Sequence, residues 1–246
     1  MAANSLNNKT ALITGGGSGI GLGCAVALAQ EGCRVAITGR REEVLKQAAA
    51  SWTGQPPIRF YACDVGQRAD VERLFTWAKK ELGQIDILIN AAGVNLKNRL
   101  MSNMEPPDWD RVLTINATGV YNAMYAVLPQ MRERKDGTII NISSISGKRA
   151  AALGGVAYNA SKFAVAALST SVANEEAVNN IRITTVFPGE VDTPILEHRP
   201  QPVSAERRAK MLLPEDVADL VVAVCKLPAR AHVPELIIKP TGQEYV

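Results

Sequence analysis

Apolar residues along this chain follow two rhythms. Short runs of strand length fall at residues 10–14, 34–38, 58–63, 85–90, 138–143, 181–187 and 235–239, and the longer stretches between them place apolar positions at helical spacing. Each pair of runs is bridged by a segment long enough for a crossover helix. The pattern therefore predicts an α/β fold with one seven-stranded, mostly parallel sheet and helices on both faces. The first helix opens on the glycine cluster 15–21 and runs to about Glu31, where Gly32 is a stop signal. Two longer helices are expected over 109–134 and 158–179, the second rich in alanine and suited to close packing. Arg132, Arg134 and Lys135 stand at the end of the first, where cations complement the helix dipole.

No repeat, low-complexity tract or linker divides the chain, so residues 1–246 read as one domain. The least regular region, 194–214, holds four prolines and the basic cluster Arg207, Arg208 and Lys210. Its place after the sixth strand favours a substrate lid over a plain surface loop.

Composition narrows the function classes. With 47% apolar and 21% charged residues the chain can bury a full core. A net charge of +3, with basic residues scattered among acids, offers no face for a phosphate backbone, which argues against nucleic acid as a partner. Cys24, Cys33, Cys63 and Cys225 show neither a paired spacing nor a disulfide framework, and only His198 and His232 could join them, so no metal is expected. They read as buried thiols in a reducing compartment. The polar start, residues 1–9, lacks the pattern of a secretory signal, and no apolar stretch reaches the ~20 residues of a membrane span. A cytoplasmic protein without a membrane partner is the expectation.

Candidate chemistry sits at strand ends. The turn Thr14-Gly15-Gly16-Gly17-Ser18-Gly19-Ile20-Gly21 joins the first strand to the first helix, where a pyrophosphate can approach the backbone and meet the positive helix end. Its spacing is not the G-x-G-x-x-G form. Tyr158 and Lys162 lie four residues apart on a predicted helix, hence on one face, and an ammonium beside a phenol favours the phenolate. Ser144 lies upstream of them with no histidine at motif spacing, which leaves hydrolase chemistry unsupported. The second strand ends in Gly39-Arg40-Arg41, with glycine where an NAD site places an acid for the ribose 2′-hydroxyl and a cation directly after it. NADP(H) is therefore the expected coenzyme, held by Arg40 first and Arg41 second.

The form T-G-x-x-x-G-I-G resembles the classical short-chain dehydrogenase/reductase family. Asp64-Val65, Asn90-Ala91-Ala92-Gly93, Asn116, Ser144, Tyr158-x-x-x-Lys162 and Pro188-Gly189 follow in that family's order over nearly the whole chain. The resemblance implies a single-domain Rossmann fold and hydride transfer between a nicotinamide and a carbonyl or secondary alcohol. It gives Tyr158 the part of general acid and base, Ser144 the substrate oxygen, Lys162 the nicotinamide ribose, and Asn116 a water relay to that lysine. It also places Gly15, Gly17, Ser18, Gly19, Ile20, Gly21, Ala91, Ala92, Gly93, Pro188, Gly189 and Val191 against the dinucleotide, with Asp64 and Val65 at the adenine, Asn90 bracing the sheet and cofactor edge, and Thr193 at the carboxamide. Ser18 stands where many NADP-using members carry a second cation, so discrimination against NAD(H) is expected to be incomplete.

The ending from Val233 to Pro240 looks like the branch with 3-hydroxy acid and serine dehydrogenases. Pairing of the two long helices between subunits, giving a homodimer or homotetramer, is likewise implied by resemblance. The competing readings are a redox sensor that binds the dinucleotide without turnover, and an epimerase or dehydratase on the same fold. Lys148 and Arg149 read as solvated loop cations, or as a hold on an anionic substrate if they face the cleft. Met101 and Met104 are open to a place on the pocket wall or to ordinary gap filling.

Overall fold

The computed structural model describes residues 6–245; residues 1–5, and with them part of the polar start, and residue 246 lie outside the described residues. In chain order come β1 (Thr10–Thr14), α1 (Gly19–Gln30), β2 (Arg34–Gly39), α2 (Glu42–Ser51), β3 (Arg59–Ala62), α3 (Arg68–Leu82) and β4 (Ile87–Asn90). The second half continues with α4 (Pro106–Leu113), α5 (Gly119–Arg134), β5 (Gly137–Ile142), α6 (Val156–Glu176), β6 (Ile181–Pro188), α7 (Ala205–Arg208), α8 (Pro214–Cys225) and β7 (Glu235–Ile238). The seven strands form one sheet in the order β3-β2-β1-β4-β5-β6-β7, and every neighbouring pair is parallel. The chain winds outward from β1 in one direction and from β4 in the other, so a crevice opens at their carboxyl ends.

Alternation along each strand feeds two cores. Ala11 and Ile13 of β1 point to a layer with Cys24 and Leu28 of α1 and Val221 of α8, whereas Leu12 points to the opposite layer with Leu74 of α3, Val127 of α5 and Val165 of α6. Both faces of the central strands are thus covered, and all five residues of β1 are buried. No helix among the described residues is long and apolar enough to cross a membrane.

The structure departs from the sequence pattern where side chains take over backbone bonds. β4 starts at Ile87 rather than at position 85, because the Ile85 N–H donates to Gln130 Oε1 at 2.9 Å and leaves the ladder. The helix expected over 109–134 begins earlier, at Pro106, and is interrupted by a single wide π turn, Thr114–Thr118. Asn116 sits in that turn and grips the Val94 backbone from both ends of its amide, accepting from the N–H at 2.8 Å and donating to the carbonyl at 3.0 Å. A wide turn of this kind marks functional positions.

Arg132 and Arg134 are also more than partners of a helix dipole. Arg132 forms a forked pair with the buried Glu176 on α6, and Arg134 donates to the Ile85 carbonyl. The basic cluster in 194–214 is used as well: Arg207 and Arg199 both reach Glu190 at 2.8 Å, and Arg208 reaches Asp192 at 3.0 Å. These pairs fold the segment back over the carboxyl end of β6.

Candidate active site

A cleft of about 860 Å³ follows the carboxyl ends of the strands, from the glycine turn after β1 to the segment after β6. The turn is built for close approach. Gly15 has φ +68, and a Cβ there would lie 2.6 Å from the Ala92 nitrogen, so only glycine lets the turn lie against the end of β4. Ser18 precedes α1 in an extended conformation, but its hydroxyl caps none of the helix's N–H groups. The first turn of α1 therefore keeps its donors open on a wall formed by Gly19, Ile20 and Gly21.

Arg40 and Arg41 lie on the rim beside this turn, exposed and with no ion pair or side-chain hydrogen bond among the described residues. Two unpaired guanidinium groups next to an uncapped helix end suit an additional phosphate. Asp64 and Val65 line the adjoining wall, and the Asp64 carboxylate accepts from the Gly66 N–H at 3.0 Å. Ala91, Ala92 and Gly93 form the floor, and Pro188, Gly189, Val191 and Thr193 form the far side. Asn90 is buried behind the wall, where its Nδ2 donates to Asn141 Oδ1 at 2.8 Å and its Oδ1 has no partner. A cradle that tolerates no Cβ, open helix donors and free cations together fit a phosphorylated dinucleotide.

Ser144, Tyr158 and Lys162 meet on the wall of the same cleft. α6 places the last two one turn apart, and Ser144 faces them as the extended residue before a short 3-10 turn, Ile145–Gly147. The Lys162 ammonium is buried, donates to the Ile142 carbonyl at 2.9 Å, and lies 5.5 Å from the centre of the Tyr158 ring. Burial lowers its pKa from 10.5 to about 8. The Ser143 hydroxyl is otherwise engaged, donating to the Lys162 carbonyl at 2.9 Å, and the Ser146 backbone N–H donates to Ser144 Oγ at 3.1 Å.

Asn116 is fully buried behind this wall and also donates to Ser161 Oγ at 3.0 Å. Its Oδ1 and the Lys162 Nζ each lie 3.6 Å from where a Gly93 Cβ would stand, so the two groups flank one small space without touching.

The electrostatics differ from the pattern expected of Tyr158 and Lys162 alone. Burial raises the Tyr158 pKa above its ordinary value, and the groups opposing that rise are the Ser144 hydroxyl and the Arg99 guanidinium. Ser144 acts from close by, although no hydrogen bond of ordinary length joins the two oxygens. The ammonium of Lys162 is directed to the Ile142 carbonyl instead.

Arg99 was not legible in the sequence, where it is a lone cation in a loop with no spacing to any motif. Only 3% exposed, it lines the cleft and donates to the carbonyls of Leu96 at 2.7 Å, Leu153 at 2.8 Å and His198. Other expectations shift as well. Met101 is 83% exposed, and neither it nor Met104 lines the cleft. Lys148 is turned away onto Glu235 at 2.5 Å, while Arg149 does line the cleft and stacks over the Tyr245 ring at 5.7 Å. Among the described residues no group of three or more His, Cys, Asp or Glu could hold a metal ion.

Comparison with known proteins agrees with this geometry. The family described as short chain dehydrogenase matches residues 9–203. Over 236 residues the chain is 33% identical to an uncharacterized oxidoreductase of Staphylococcus aureus, covering 96% of this chain and 98% of that protein. Among solved structures it resembles the closed form of a serine dehydrogenase complexed with NADP+, at 31% identity and a TM-score of 0.88 over 96% of each chain. A 3-ketoacyl-(acyl-carrier-protein) reductase from Brucella melitensis complexed with NADH is similar at 29% identity and a TM-score of 0.88, covering 96% of this chain and 99% of that one.

Proposed function

The chain belongs to the short chain dehydrogenase family and is an oxidoreductase acting on CH–OH groups, and from that premise we propose that it interconverts a carbonyl compound and its alcohol with NADP(H), using Tyr158 as the proton donor and acceptor. The observation that carries this reading is the meeting of Ser144, Tyr158 and Lys162 on the wall of a cleft whose other end is the uncapped start of α1. Bound there, the nicotinamide supplies or accepts the hydride.

The chain's own residues supply position and proton. The glycine turn and the α1 N–H groups receive the pyrophosphate, Asp64 and Val65 border the adenine, and Arg40 and Arg41 pair with a 2′-phosphate. Lys162 spends one of its three N–H donors on Ile142 and keeps two for ribose hydroxyls. Ser144 holds the substrate oxygen. Burial raises the Tyr158 pKa, and the protonated phenol is suited to give that oxygen a proton.

The segment 194–214, tied down by Glu190 and Asp192, serves as the lid. Two copies pair through α5 and α6, where Tyr125 is 70% and Phe163 is 43% exposed, and light scattering tests this. NADPH oxidation against ketones, aldehydes and oxo acids tests the reaction, with Tyr158→Phe as the decisive variant. Turnover is expected to fall about 10²–10⁴-fold with NADPH binding retained; a variant as active as the parent ends the proposal.

A further inference from the structure

Four charged side chains among the described residues are less than a tenth exposed: Asp86 at 4%, Arg99 at 3%, Lys162 at 5% and Glu176 at 2%. The two acids each meet a cation, Asp86 with Lys9 at 3.6 Å and Glu176 with Arg132. The two cations meet no carboxylate at all, and both line the cleft. A buried charge is normally paired, because an uncompensated one loses its hydration without repayment. Of the acids along the substrate half, Glu197 and Glu244 are exposed, and Glu190 is taken by Arg199 and Arg207. Among the described residues no carboxylate balances the interior end of the cleft.

Arg99 is held rigidly for a recognition role. Its Nε, Nη1 and Nη2 donate to carbonyls from three segments, the loop after β4, the loop before α6 and the start of the proposed lid. A guanidinium has five N–H donors, so one remains on Nη1 and one on Nη2. Its backbone carbonyl receives the Val156 N–H at 2.9 Å, which fixes it beside the first turn of the helix bearing Tyr158. The guanidinium is also close enough to act on the Tyr158 phenol.

Resting on the reductase reading above, we propose that the substrate is an oxo acid whose carboxylate is received by Arg99 while its carbonyl oxygen meets Tyr158 and Ser144. The carbonyl carbon takes the hydride released by NADPH and the oxygen takes the Tyr158 proton. The oxo acid is thereby reduced to a hydroxy acid, NADPH is oxidised to NADP+, and the carboxylate is unchanged. Arg99, Ser144 and Tyr158 line one cleft, so a single small molecule can carry both the acid group and the reacting carbonyl.

Matched pairs of short 2- and 3-oxo acids and their primary amides, such as acetoacetate and acetoacetamide, isolate the charge at constant shape. With NADPH and the full chain, kcat/KM is expected to favour the acid by about 10- to 150-fold, the range of a charge-assisted hydrogen bond. In Arg99→Met the ratio is expected to collapse to near one, acid turnover falling further than amide turnover, and Arg99→Lys is expected to keep most of the preference. A parent ratio near one overturns the assignment, and this measurement stands even if Arg99→Met does not fold. Equal loss of acid and amide turnover in Arg99→Met also overturns it, since that pattern belongs to a residue that only braces the lid. No NADPH oxidation with acids, amides, ketones or aldehydes instead defeats the reductase reading itself.

Discussion

Replacing Lys162 by methionine keeps an unbranched side chain, one atom shorter, and removes a charge from the interior. The folded protein holds this lysine with a pKa lowered by burial to about 8, against 10.5 for an ordinary lysine. Between those values the unfolded chain binds more protons than the folded one, so stability rises with pH across that window. Below pH 8 the buried ammonium is a full burden. At 1.36 kcal/mol per pH unit it costs about 3 kcal/mol at pH 7, about 2 at pH 9 and about 1 at pH 10. Lys162→Met is therefore expected to gain up to about 3 kcal/mol at pH 7, offset by about 1–3 kcal/mol for leaving the Ile142 carbonyl without its donor. The offset does not titrate, so the gain shrinks by about 2 kcal/mol between pH 7 and pH 10. Urea unfolding of both proteins at pH 7, 8, 9 and 10 reads this difference, and groups common to both cancel. A stability difference that stays flat with pH refutes the assignment of a buried, charged lysine. Activity is expected to be lost in the variant, placing stability and function in opposition at one atom.

Other positions give independent checks. Gly15→Ala places a Cβ 2.6 Å from the Ala92 nitrogen at a φ of +68, and is expected to lose about 2–4 kcal/mol together with NADPH affinity; unchanged melting and binding would falsify the cradle. Arg132→Met leaves the Glu176 carboxylate buried with only Asn179 as donor, and should destabilise by about 2–3 kcal/mol, less than a fully buried pair because Arg132 is 48% exposed. Hydrogen bonds from Arg132 hold the Glu176 pKa below its ordinary 4.5, so this contribution is present above that value and fades as pH falls below it; parallel acid unfolding curves for parent and variant contradict the pairing. Arg40→Ala is expected to lower kcat/KM for NADPH about 10- to 100-fold while leaving NADH nearly unaffected, as steady-state kinetics with both coenzymes will show.

Legibility in the sequence followed how locally each feature is determined. β1 begins and ends where its apolar run does, because all five residues are buried between the two layers of helices. β4 loses its first two expected residues to Gln130, a partner 45 positions away from Ile85. The wide turn at Asn116 depends on a contact with Val94, 22 positions upstream, which no local propensity encodes. In the site, the glycine turn and the Tyr158–Lys162 pair are short-range patterns whose placement follows from spacing, although the electrostatics of the pair do not. Arg99 has no such pattern; its significance arises only when Leu96, Leu153 and His198 converge on it.

The amino-acid order by itself determined the alternation of strands and helices, the single, mostly parallel sheet and the family resemblance, since each depends on residues near one another in the chain or on motifs in fixed succession. Only the tertiary structure decided which charges lose water and which find a counter-charge. Desolvation depends on what packs around a group from every side, and that is why Lys162 is lowered, Tyr158 is raised and Arg99 stands buried without an acid.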